Sequence, residues 1–320
     1  MKASYITLHE QGELQKRISQ AQTLLSPCRL CPRQCGVNRQ QTDNGTVEKG
    51  LCQTGNRAMV ASYGPHFGEE SPLVGSGGSG TIFFSHCNLL CLFCQNYEIS
   101  HCPDQEEGVE TSPEQLAQIM LSLQEQGCHN INFVTPSHLT PQILEALPFA
   151  VDNGLHVPLI YNSSGYDSVE SLRLLEGMID IYMPDFKFWN PVHAKQYAHA
   201  YDYPEKARLA LKEMFRQVGD LVINDDGLAE KGLLIRHLIM PSCLDETEKI
   251  LRFIARKISL NSYVNIMDQY RPCGKASQFR NLNRTVSSEE YQDAQGMAKK
   301  AGLCRLDQKD FSFLLRKLGL

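Results

Sequence analysis

Cys87, Cys91 and Cys94 stand at C-x3-C-x2-C spacing directly after the apolar run Thr81 to Phe84. That spacing lets three thiolates converge on one face of a single loop. The number is informative. A structural zinc site takes four ligands, and an electron-carrying [4Fe–4S] cluster takes four cysteines. A loop that supplies three leaves one metal position open to a small molecule. We read the loop as the holder of a [4Fe–4S] cluster with one iron kept for such a ligand. A zinc site completed by His86, His101 or Cys102 is the alternative.

A second group, Cys28-Arg-Leu-Cys31-Pro-Arg-Gln-Cys35 followed by Cys52, has the pattern C-x2-C-x3-C-x16-C. Four thiolates in a segment without its own core suggest a knuckle nucleated by metal. The spacing leaves zinc and a second iron–sulfur cluster open, and four unliganded thiols as the remaining alternative. Arg33, Arg39 and Arg57 near it read as solvated surface. The chain has 12 cysteines in all. The other five, Cys102, Cys128, Cys243, Cys273 and Cys304, read as small buried hydrophobes.

A repeating unit must position the loop. From residue 81 onward, a short β-rich run ends in a polar loop and a helix follows. The runs are Thr81–Phe84, Asn130–Val134, Val157–Tyr161, Ile179–Met183, Leu233–Met240 and Tyr263–Met267. Helix starts are marked by Ser112 with Gln115, Thr140-Pro141, Asp167 with Glu170, Asn190-Pro191, Asp245 with Glu248, and Ser287 with Glu290. The Asn190 helix reads as continuous to about Val218, and Leu221 to Leu228 as a hairpin with an Asp-Gly turn. Six strand–helix units predict a parallel sheet with right-handed crossovers. Eight would close a barrel, so six predict an open, partial (β/α)6 TIM-like barrel. A flat doubly wound sheet is the alternative. Gly75 to Gly80 matches G-x-G-x-x-G but precedes a strand, so it reads as a turn or linker rather than a dinucleotide fingerprint. Residues 8 to 25 read as one amphipathic helix. The division expected is an N-terminal helix plus cysteine-rich segment over 1–74 and a partial barrel over 75–320.

In either sheet type, chemistry gathers at the C-terminal strand ends. There the sequence delivers Thr135-Pro-Ser137-His138, Asn162-Ser-Ser164-Gly165, Asp185-Phe-Lys187 and Asp268 to Arg271. For a single Ser or Thr, capping explains as much as chemistry does. Asp185 and Lys187 lie two apart, so both can face one side of an extended strand end. A carboxylate and an ammonium so placed could bind a zwitterion; a plain salt bridge is the alternative.

Composition bounds the rest. The 320 residues are 42% hydrophobic and 21% charged, with net charge −5, which offers no basic face for a nucleic-acid backbone. The N-terminus has no apolar signal region and no run spans a bilayer. We expect a soluble, cytoplasmic protein with no nucleic-acid or membrane partner.

These residues resemble the radical S-adenosylmethionine superfamily, with Phe93 before the last cysteine of the loop. Cys94-Gln95-Asn96, Asp185-Phe-Lys187 and Leu233 to Pro241 are similar to the branch around pyruvate formate-lyase activating enzyme. Cys28 to Cys35 is similar to the extra Cys-x2-Cys-Pro-Arg-x-Cys motif of uncharacterised members of that branch. The resemblance runs from about residue 26 to 304. It implies that Cys87, Cys91 and Cys94 hold the cluster, that S-adenosylmethionine binds its open iron, and that Phe93 packs near cluster and adenine. Asp185 and Lys187 would match the D-x-K motif that helps bind S-adenosylmethionine. Thr135-Pro-Ser137 stands where the superfamily carries Gly-Gly-Glu, and Thr135 and Ser137 are the candidates to replace it. Gln95 stands where activating enzymes often carry His. The implied activity is hydrogen abstraction by a 5′-deoxyadenosyl radical, with a glycine of a glycyl-radical enzyme as substrate and a flavodoxin- or ferredoxin-like donor as partner. A small molecule or another protein is the alternative substrate. An iron–sulfur electron carrier without such chemistry and a zinc hydrolase are the competing classes.

Overall fold

The computed structural model describes residues 3–40, 47–102 and 108–307. The strands are β1 (Ala58–His66), β2 (Ser79–Phe84), β3 (Val109–Thr111), β4 (Ile131–Val134), β5 (Leu159–Ser163), β6 (Ile181–Pro184), β7 (Val222–Ile223), β8 (Ala229–Leu238), β9 (Tyr263–Met267) and β10 (Arg305–Leu306). The helices are α1 (Ser4–Glu10), α2 (Glu13–Thr23), α3 (Ser71–Val74), α4 (Tyr97–His101), α5 (Pro113–Glu125), α6 (Thr140–Asp152), α7 (Val169–Leu174), α8 (Pro191–Ala198), α9 (Tyr203–Val218), α10 (Leu244–Phe253) and α11 (Ser288–Ala301).

All ten strands join one sheet, mostly parallel, in the order β10-β9-β8-β6-β5-β4-β2-β1-β3, with β7 paired to β8. The six expected runs lie side by side in chain order, with no reversal of the kind that marks a doubly wound sheet. The sheet does not close, since β3 and β10 end it on opposite sides. Side chains reach between its flanks instead: Asn265 on β9 donates to Glu70, just before α3, at 2.8 Å. Every residue of β5 and β6 is buried, the pattern of strands covered on both faces. No helix among the described residues is long and apolar enough to cross a membrane.

Several local expectations hold. Ser112 with Gln115 and Ser287 with Glu290 form complete capping boxes. The hairpin at β7 turns through Gly227 at φ +81°. Gly77 permits a close approach, because a Cβ there would lie 1.9 Å from the Gly127 carbonyl oxygen. Its run therefore packs backbone on backbone before β2.

Others do not. The helix expected over 8–25 is two, α1 and α2, separated at Gly12 with φ +71°. The run from Asn190 breaks into α8 and α9 at His199, which is left-handed at φ 52°. Asp167 does not cap α7. It is drawn inward, accepting from Tyr161 Oη at 3.0 Å and Ser163 Oγ at 2.7 Å. Asp245 does not cap α10 either; Cys243 occupies that position without a side-chain bond. Strand β1 lacks a clean alternation and carries Gly64 and Pro65. It joins antiparallel to β2 across an irregularity between Val60 and Ser62.

At the N-terminal strand ends, Asp180 Oδ1 accepts from Ser4 N and Oγ at 3.2 and 2.9 Å, and Tyr5 Oη donates to Val157 O at 2.8 Å. These bonds seat α1 below the sheet. Helix α2 packs across α6 and α7 and leads the chain toward the opposite end.

His237 joins β8 to the site. Its Nδ1 bonds Phe186 O at 2.7 Å and its Nε2 bonds Thr247 Oγ1 at 2.9 Å. These partners fit a neutral ring that donates from Nδ1 and accepts at Nε2. Burial pushes its pKa down to about 4. Below about pH 6.5 the unfolded chain takes up a proton that the folded chain refuses. Stability from this residue is therefore lost as pH falls from 6.5 toward 4, by on the order of 3 kcal/mol. Urea midpoints of anaerobic protein across that window should fall with pH, and His237→Gln should flatten the slope.

Candidate metal and cofactor site

The cysteine loop follows β2 and is held in a strained shape. His86 and Leu90 adopt φ of 69° and 59°, left-handed values costly for residues with a Cβ. The surroundings impose them. His86 N donates to Ile99 O at 2.7 Å, Leu92 N to Tyr197 O at 2.8 Å, and Lys275 N to Leu92 O at 2.7 Å. Arg33 adds the rest. It donates to Asn88 O at 2.9 Å, Leu89 O at 3.1 Å, Ala198 O at 3.0 Å and also His199 O, with its guanidinium 5.1 Å from the Tyr166 ring centre. Asn88 and Leu89 lie between the first two cysteines of the loop. The expectation that Arg33 is solvated surface is therefore corrected, and so is that for Arg39, which is 1% exposed and bonds Gly55 O and His138 O. Burial of an arginine depends on partners far along the chain.

Cys87, Cys91 and Cys94 line one cavity of about 940 Å³ together with Phe93, Thr135, Asp185 and Lys187. Phe93 is buried, its ring 5.9 Å from both Phe188 and Tyr270. Thr135 is left-handed at φ 63° and donates its N–H to Asn162 O at 2.9 Å. Ser137 is buried on the turn behind Thr135 and is not a wall of the cavity.

Two sulfurs receive hydrogen bonds: Leu89 N donates to Cys87 Sγ and Ser100 Oγ to Cys94 Sγ, both at 3.3 Å. Burial pushes the Cys87 thiol up to about 11 and Cys91 higher still, with Lys187 partly offsetting the rise at Cys91. Such thiols ionise when a metal brings positive charge. No three thiol sulfurs among the described residues lie within 4.8 Å of one another. Three soft thiol donors line the cavity, the donor set of an iron–sulfur cluster with one position left for another ligand. His86, His101 and Cys102 complete no such group, and the Cys102 thiol turns to Glu98 O at 2.9 Å.

Beside the thiols lies a knot of buried charge. Asp185 takes Lys187 Nζ on Oδ2 at 2.5 Å and Arg236 Nε on Oδ1 at 2.8 Å. Arg236 also donates to Asn162 Oδ1 at 2.7 Å and approaches Glu69 at 3.8 Å. Burial opposes ionisation of Asp185, but the Arg236 and Lys187 charges outweigh it and hold its carboxyl below the usual range. Lys187 stays charged because the Asp185 carboxylate beside it outweighs its own burial. Gly165 makes room for this strand end: at φ +74°, a Cβ on it would meet Asp185 O at 2.2 Å.

The residues missed at this site are Arg33, Ser100, Glu69, Glu70 and Asn265. Asn162 was expected at its strand end, and Arg236 lies on the fifth expected run. Glu69 and Glu70 had only their place ahead of β2.

Of the N-terminal group, Cys28, Cys31 and Cys52 are buried and Cys35 is exposed. Burial pushes the Cys31 thiol up to about 12, and the neighbouring Asn88 amide, next to Cys87, lowers it. His193, Cys243 and Glu246 form an unexpected group with ligand atoms within 4.8 Å. Glu246 there accepts from Trp189 N and Asn190 N at 2.7 and 2.6 Å and from His193; it holds the segment ahead of α8, whose N-cap is Asn190, and lies outside the cavity.

Two substitutions test this geometry. Asp185→Asn leaves two buried cations without their carboxylate and should cost about 3–5 kcal/mol in urea unfolding. Arg33→Ala frees four carbonyls and should cost about 2–4 kcal/mol. It should also hasten bleaching of the iron–sulfur chromophore by a chelator. Arg33→Lys should restore little, since an ammonium lacks the planar fork.

Residues 81–254 match the Radical SAM superfamily. The chain is also similar to an uncharacterized protein of Methanocaldococcus jannaschii, at 32% identity over 301 residues, covering 91% of this chain and 79% of the relative. A match over more than half of the chain, on a parallel sheet that delivers three cysteines to a strand end, shows that the protein belongs to the radical S-adenosylmethionine superfamily.

Proposed function

We propose that this protein is an oxidoreductase that uses S-adenosylmethionine to abstract hydrogen from a substrate. The observation that supports the reading is the convergence of Cys87, Cys91 and Cys94 with Phe93, Thr135, Asp185 and Lys187 on one cavity. A [4Fe–4S] cluster held here would supply the electron for reductive cleavage of S-adenosylmethionine. The chain's own residues hold and orient. Cys87, Cys91 and Cys94 would ligate three irons. Lys187 would meet the carboxylate of the zwitterionic cofactor, and Asp185, whose two oxygens take Lys187 and Arg236, would position it. Phe93 offers an apolar face for the adenine. Thr135 would contact the cofactor directly, with Ser137 supporting its turn from behind.

For the substrate we read a glycine of a glycyl-radical enzyme. Support comes from the likeness of Asp185-Phe-Lys187 to activating enzymes. The open sheet, read as a partial (β/α)6 barrel, would leave room for a peptide loop. A small-molecule substrate is the second reading, favoured by the charged inner wall of Glu69, Glu70 and Arg236. A flavodoxin- or ferredoxin-like donor would supply the electron. Cys28, Cys31, Cys35 and Cys52 would hold a second centre, zinc or iron–sulfur. A reducing cytoplasm suits thiols of which none is paired in a disulfide.

The test is 5′-deoxyadenosine formation by anaerobically reconstituted, reduced protein. Wild type should form it and a Cys87→Ala/Cys91→Ala/Cys94→Ala variant should not. No product from a wild type carrying a full cluster contradicts the proposal. Unchanged activation of every glycyl-radical enzyme in a deletion strain contradicts the substrate reading alone.

A further inference from the structure

Glu70 is 4% exposed and lines the same cavity as the three cysteines. It occupies the position before α3 but makes no side-chain cap there. Oε1 accepts from Asn265 Nδ2 at 2.8 Å, and Oε2 has no hydrogen-bond partner. A buried carboxylate oxygen left without a partner is costly unless something arrives to meet it.

Charge accounting shows what would meet it. Two cations, Lys187 and Arg236, face this wall. Asp185 bonds both, and Glu69 approaches Arg236 at 3.8 Å and His66 at 3.2 Å. Asp185, Glu70 and Glu69 all act on Arg236, so three carboxylates face two cations. Glu70 is the one with no direct ion pair among the described residues, its side chain bonded to the neutral Asn265 amide. Burial raises its pKa to about 7, and the Arg236 charge only partly offsets that. The second strand end, meanwhile, offers no carboxylate: Thr135-Pro-Ser137 carries hydroxyls and a proline.

We propose that Glu70, oriented by Asn265, is the ammonium-binding carboxylate of this cavity. The inference rests on the radical S-adenosylmethionine reading and deepens it. The ammonium comes from one of two sources, the amino group of S-adenosylmethionine itself or an amine on the substrate. Either forms a charge-assisted hydrogen bond to Oε2.

Calorimetry on the reconstituted holoprotein tests this with S-adenosylmethionine, n-butylamine as the ammonium probe and n-butanol as its neutral control. If the cofactor's amine occupies the site, Glu70→Gln weakens S-adenosylmethionine binding about 10- to 100-fold. In that case n-butylamine competes with S-adenosylmethionine on the wild type. If the substrate's amine occupies it, S-adenosylmethionine binds both proteins equally, n-butylamine binds beside it on the wild type, and Glu70→Gln abolishes that second event. Both results support the proposal, and n-butanol does neither. If Glu70→Gln folds poorly, Asn265→Leu, which removes only the amide that orients Glu70, is the second variant and should weaken the same binding event. Wild type that binds S-adenosylmethionine but shows no response to n-butylamine, or n-butanol acting as well as n-butylamine, overturns the role of Glu70 alone. Wild type that binds neither molecule while carrying a full cluster overturns the underlying reading as well.

Discussion

The site depends on a carboxylate taken out of water. Asp185 sits at the end of β6, buried, with Lys187 and Arg236 on its two oxygens. None of the three would be tolerated there alone, because an isolated buried ion neutralises or forces the fold open. Held together they fix the relation between β6 and β8, whose backbones meet where Asp185 bridges Arg236. His237, the next residue on β8, bonds the carbonyl between Asp185 and Lys187 and locks the same strand end from the other face. The D-x-K segment is thus over-determined from both sides. That rigidity is what a site needs when a bond must break in one place and not another.

The cysteine loop is rigid for a different reason. Its left-handed residues cost energy that its own short sequence cannot repay, so distant elements supply the bonds. Arg33, from between Cys31 and Cys35, reaches the carbonyls of Asn88 and Leu89, and the Asn88 side chain adjoins the Cys31 thiol. The N-terminal cysteine segment is therefore part of the frame of the loop. Loss of order in that segment would be felt at Cys87 and Cys91 through one guanidinium.

Much of this was legible in the chain. The three-cysteine spacing and the six strand–helix units follow from local pattern, and Asp185 and Lys187 face each other as the salt bridge that their spacing also allowed. Capping boxes were read correctly where the serine side chain had nothing better to bond. They were misread at Asp167, because Tyr161 and Ser163 compete for the same oxygens once the sheet forms. Strand β1 was hidden by Gly64, Pro65 and a register irregularity. Arg33 and Glu70 were invisible for a shared reason: a charged residue is read as solvent-facing until its partners, often a hundred residues away, are known. Asn265 lies far from Glu70 in sequence and across the open gap of the sheet from it, and no spacing rule links them.

The central claim is that three thiolates leave one iron open to S-adenosylmethionine. Electron paramagnetic resonance of the reduced cluster, recorded with and without S-adenosylmethionine, tests it most directly. The account predicts that the spectrum changes on addition, because the cofactor becomes a ligand. A full cluster whose spectrum is indifferent to S-adenosylmethionine would mean a fourth protein ligand closes the site, and the protein would be an electron carrier.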